Sequence, residues 1–68
     1  MNNTAYSPPV SRRTARAVRS LAPLGNAGLD LIIGALGRAQ TYSEVDAAYQ
    51  AGRLWIWRKY QAEREASL

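Results

Sequence analysis

Cysteine and histidine are both missing from this chain. Without cysteine there is no disulfide staple and no thiolate chemistry. Without histidine there is no zinc-finger ligand set and no imidazole for acid–base catalysis. Acidic residues are few, five against nine basic ones, which leaves a net charge of +4. Long apolar runs are also lacking. The longest, at 27–36, is about half of the roughly 20 residues that a membrane helix needs, and Asp30 interrupts it. No secretory signal is visible, because the first ten residues are polar and no apolar core follows the arginines closely. The absence of acid from residues 1–25, with four arginines and several Ser and Thr, is the composition of a mitochondrial transit peptide. Pro8 and Pro9 ahead of the arginines, and the short remainder, argue against that reading. The missing cysteine fits a reducing compartment, so a cytoplasmic location is expected.

What is present is 68 residues, enough for one domain. Hydrophobic residues make up 47% of the chain, too many for a disordered protein. A domain of this size buries only about 60% of the surface its unfolded chain exposes. Folds below about 70–80 residues usually rely on a disulfide, a metal or a partner chain. The first two have no ligands here beyond scattered carboxylates, so oligomerisation or docking on another protein is expected, with no metal and no cofactor.

The pattern predicts an all-α fold, a small bundle of two to three helices. Residues 1–10 read as a flexible polar arm and 11–68 as a single helical domain. The first helix is expected at about 12–22, with Ser11 as N-cap and Pro23 as the stop. Its apolar stripe is narrow: Ala15, Val18, Leu21 and Ala22. The second helix is expected at about 27–39 behind Asn26. Leu29, Ile32, Ile33 and Leu36 follow the i, i+3, i+4, i+7 spacing of a core face. Leu31 and Ala35 widen that face until the helix is apolar almost all round, so it is expected to be the central, most buried element. Gly34 reads as the position that permits a close helix approach. The third helix is expected at about 43–66. Thr41 as N-cap would complete a capping box with Glu44; Ser43 as N-cap would give an imperfect one with Asp46. On a helical wheel Val45, Ala48, Tyr49, Gly52, Trp55 and Ile56 form the expected core face, with Tyr60 at its edge. Leu54 and Trp57 point away from it.

Charge is unevenly placed. Arg12, Arg13, Arg16 and Arg19 give residues 1–25 the entire net +4, since the five bases and five acids of 26–68 cancel. A localised positive field bears on partners and association rate rather than on fold. These four arginines are candidate contacts for an acidic protein surface or for nucleic-acid phosphates. Leu54 and Trp57, one turn apart and flanked by Arg53 and Arg58, are candidate anchors of a partner or a homodimer, because Trp and Arg are enriched at interface hot spots. The alternative for this pair is that the first helix covers them and the third helix is sandwiched.

Catalysis is not expected. Glu44 and Asp46 lie near one end of the third helix and Glu63 and Glu65 near the other, roughly 30 Å away at 1.5 Å per residue, and no phosphate-cradling glycine loop is present. A helix-turn-helix reading fits cleanly in neither register. With Gly37 in the turn, the inward positions fall on Ser43 and Asp46. A shift to Val45 and Ala48 buries Arg38 and Gln40 instead. In size and type, a compact chain rich in Ala and Arg without site chemistry, it resembles the small accessory proteins of bacteriophages and other mobile elements, which often act by binding and blocking a host protein. The expected function is therefore a non-catalytic helical binding protein acting by protein–protein interaction, by stoichiometric inhibition or modulation. A basic DNA- or RNA-binding regulator and a small subunit of a larger complex are the alternatives.

Overall fold

The computed structural model describes residues 8–67. The described residues fold into three α-helices without a strand: α1 (Arg12–Leu21), α2 (Asn26–Arg38) and α3 (Tyr42–Ala66). The all-α class and the order of the elements are as expected. Most of the expected arm lies outside the described residues. Residues 8–10 have no regular structure, but Val10 packs against the core.

Local chemistry explains each boundary. Ser11 caps α1, its Oγ accepting from the Thr14 N–H at 3.1 Å. The same hydroxyl donates to Thr14 Oγ1 at 3.0 Å, which supplies a partner to the one buried polar side chain described. Pro23 has no N–H to continue the helix, so α1 gives way to a single 3-10 turn, Ala22–Leu24. The chain then turns at Gly25, whose φ of 61° favours a residue without a Cβ. Gly25, rather than the expected Asn26, is the N-cap of α2, and no side chain caps that end. Thr41 caps α3 in a complete capping box. Its Oγ1 accepts from the Glu44 N–H at 3.1 Å, and Glu44 Oε1 accepts from the Thr41 and Gln40 N–H groups at 3.1 and 2.9 Å.

The central element is α3, not α2 as the hydrophobic pattern suggested. Both α1 and α2 pack against α3 and touch one another little beyond the connecting turn. The buried cluster joins all three helices through Val18, Ile32, Leu54 and Trp55, with Val18 fully enclosed. Gly28 of α2 is pressed onto α3 as well. A methyl added there would stand 2.7 Å from the Trp55 ring and 2.5 Å from the Leu21 carbonyl oxygen. One helical turn further along α2, Ile32 faces Gly52. The pairs 28 with 55 and 32 with 52 run in opposite directions along the two helices, so α2 and α3 are antiparallel.

Two corrections follow from this packing. Only Gly28 and Ile32 of α2 are buried, while Leu31, Ile33 and Leu36 are exposed. A helix with a single neighbour can hide only one stripe, however apolar the rest of it is. On α3, Ala48 and Trp55 of the expected core face are buried, but Val45, Tyr49, Ile56 and Tyr60 of that face are exposed, while Leu54 lies in the core and Trp57 packs against it. The stripe expected to point away is the one that α1 covers.

Candidate interaction surfaces

Thr14 and Val18 anchor α1 inward. That fixes the outer face, where Arg12, Arg16 and Arg19 recur at i, i+4 and i+7 and all stand exposed. Arg13, also exposed, leaves this stripe and lines the edge of a groove. Among the described residues no acid pairs with any of the four. The guanidinium groups are therefore presented to solvent as a positive face that no internal charge neutralises.

The groove exists because α1 and α2 both lean on α3 without closing on each other. It is open, with a volume of about 730 Å³. Its floor is Ala47, Ala48 and Ala51 of α3; Ala17 stands on the α1 wall and Leu31 and Ala35 on the α2 wall. Small side chains leave the floor shallow and apolar. Arg13 and Arg38 sit on the rims. The two acids bordering it are already engaged. Glu44 is held in the capping box, and Asp46 accepts from the Gln50 side-chain amide at 2.8 Å. The backbone N–H groups of Gln40 and then Thr41 hold the Glu44 carboxyl below its ordinary pKa.

The second group of sequence-derived site residues is not brought together. Leu54 is enclosed in the core and unavailable to a partner in the folded chain, and Trp57 is half-buried beside it. Arg58 borders a smaller cavity of about 340 Å³ with Val18 and Trp55, on the side that α1 covers. Arg53 lies elsewhere, its guanidinium 6.0 Å from the centre of the Tyr49 ring. Arg64 stands in the same way over Tyr60, at 5.9 Å. Sequence reasoning did not single out the alanine-floored groove. The signal was the pair of small residues one turn apart on α3, Ala47 and Ala51, opposite Leu31 and Ala35 of α2, which defines a groove only once the splay of α1 from α2 is known.

Among the described residues no three carboxylates converge as a metal site would require, and no helix is long and apolar enough to cross a membrane. No protein-family model, curated protein or solved structure matches this chain.

Proposed function

We propose that this chain is a non-catalytic binding protein that occupies an acidic surface of another protein, using the arginine face of α1 together with the groove beside it. The observation that carries this reading is the juxtaposition of unpaired guanidinium groups with an open apolar trough. Arg12, Arg16 and Arg19 supply the long-range field, and Arg13 and Arg38 line the rims of the trough floored by Ala47, Ala48 and Ala51. An amphipathic acidic helix matches that combination: its apolar side lies on the alanines and its carboxylates meet the rim. A polyphosphate backbone uses the arginines but leaves the trough empty, and no exposed aromatic stands among the arginines of α1 to stack on bases. The action that fits such a surface is stoichiometric occlusion, in keeping with the accessory-protein type that the chain resembles in size and composition.

Affinity capture from a nuclease-treated lysate tests this. The wild type is compared with the R12Q/R13Q/R16Q/R19Q variant and with Ala47→Lys, which places a long side chain in the trough. The expected result is an acidic protein retained in equimolar amount by the wild type and lost from both variants. Retention of the same protein by both variants would overturn the assignment. So would capture of nucleic acid alone from an untreated lysate, with affinity falling by orders of magnitude between about 50 and 200 mM salt.

A further inference from the structure

We infer that the opposite side of the molecule, the outer face of α2 and α3, is covered by a second copy of this chain. Steps of 100° per residue set Val45, Ile56, Tyr49 and Tyr60 within about 60° of arc on α3. The same steps group Leu29, Ile33 and Leu36 on α2. The groove takes the other flank of each helix, Leu31 and Ala35 on α2 and Ala47 and Ala51 on α3. These two apolar stripes therefore share the face that lies away from the groove, and the antiparallel register of α2 on α3 makes them neighbours. Ile33, Leu36, Val45, Tyr49, Ile56 and Tyr60 are each between 43% and 64% exposed.

Three features select a second copy as the occupant. The first is area. With about 150–250 Å² for a fully exposed aromatic side chain and somewhat less for an aliphatic one, these six residues leave on the order of 600 Å² of surface open. Two such faces together reach about 1,200 Å², the lower bound of a stable protein interface. The second is charge. Between Val45 and Tyr60 the arc holds no charged residue; Glu63, at the angle of Val45, comes only after Tyr60, and Asp46, Arg53 and Arg64 lie at the margin, the two arginines against the rings of Tyr49 and Tyr60. The whole net charge sits on α1, which packs on the other side of α3, so two copies can meet on this face while their arginines stay remote from each other. The third is self-complementarity. The α3 stripe alternates a smaller with a larger side chain, Val45 then Tyr49 on one side of Gly52 and Ile56 then Tyr60 on the other, so that reversing it sets each tyrosine against an aliphatic residue. A two-fold axis near Gly52 brings Tyr49 over the partner's Ile56 and Val45 over the partner's Tyr60, which is the isologous pairing of most homodimers.

This inference does not depend on the α1 reading, and its test is separate. Sedimentation equilibrium of the purified full chain across about 1–200 µM is expected to give twice the 7.5 kDa chain mass at the upper concentrations. Ile56→Asp should raise the dissociation constant by 100-fold or more, since each dimer then buries two carboxylates. Leu31→Asp, exposed on the groove flank, should leave it unchanged. Thermal unfolding of the wild type should shift to lower temperature on dilution, because association stabilises the folded chain. That series decides the matter if Ile56→Asp proves poorly helical. A single-chain mass at every concentration, a melting temperature that does not move on dilution, or equal weakening by Ile56→Asp and Leu31→Asp would each overturn the assignment.

Discussion

At Gly28 the space for a side chain is already taken. A Cβ there would overlap the Trp55 ring and the Leu21 carbonyl, and the carbonyl belongs to backbone that cannot swing aside. Gly28→Ala should therefore destabilise the fold by about 1–3 kcal/mol, the usual cost of overpacking, even though alanine is the better helix former. Gly34 is the useful contrast. Its added Cβ would meet only the far end of the Arg38 side chain, at 3.0 Å. That side chain is flexible, so Gly34→Ala should gain up to about 1 kcal/mol from helix propensity. Thermal melts of the two variants under one set of conditions check the pair, and equal shifts would refute the assigned contacts. The sequence alone favoured Gly34 for close approach. Two glycines in one helix are locally alike, and what separates them is the indole of Trp55, more than twenty residues away in the chain. Leu54 carries the same lesson. Enclosed between α1 and α3, it should cost about 2–5 kcal/mol when cut to alanine. A variant that keeps wild-type stability would return Leu54 to the surface.

The ends of the helices were legible because their signals are local. Ser11, Pro23 and the Thr41–Glu44 pair act within four residues of themselves, and the observed ends of α1 and α3 fall within a residue of expectation. The faces were not legible, because α3 carries two apolar stripes and its wheel ranks them without saying where α1 lies. Val45, Tyr49 and Ile56 form the more apolar stripe, yet α1 takes the one with Leu54. The capping box of α3 gives a prediction at this scale. Glu44 is fully exposed, but its carboxylate accepts two backbone N–H groups and lies at the positive end of the helix dipole, so its pKa is lowered on folding. A depressed carboxyl adds stability that is fully present above its unfolded pKa and is lost as pH falls through the folded one. The melting temperature of the wild type should thus drop across the acid limb below the ordinary glutamate range. Glu44→Gln should flatten that limb and lower the plateau at neutral pH. Thr41→Ala, which removes the reciprocal acceptor, should cost about 1 kcal/mol at neutral pH. An acid limb identical in wild type and Glu44→Gln would show that the box is not what α3 starts from.

At the scale of the whole molecule the chain is a slab, 41 by 25 by 16 Å, with charge on one broad side and grease on the other. α1 packs on one flank of α3, across the groove from α2, and none of the described residues covers the opposite face of α2 and α3. This is why residues that periodicity assigns to a core stand exposed. The charged side has an energetic consequence of its own. Arg16 is four residues from Arg12 and three from both Arg13 and Arg19, so the positive face repels itself. Like-charge neighbours at these spacings cost about 0.2–0.5 kcal/mol each. No acid among the described residues offsets them. Replacing Arg16 with Gln removes all three close pairs and should raise stability by at least about 0.5 kcal/mol at low ionic strength. In a domain of this size that corresponds to about 2–4 °C in melting temperature. Salt screens the same repulsion, with a Debye length of about 30 Å at 0.01 M and about 8 Å at 0.15 M. Raising the salt over that interval should therefore lift the wild-type melting temperature and leave Arg16→Gln less affected, until the two curves approach each other. A wild-type melting temperature that falls with salt would mean that these guanidinium groups are engaged by carboxylates in solution. The exposed positive face assigned to α1 would then be wrong, and with it the surface proposed to meet an acidic partner.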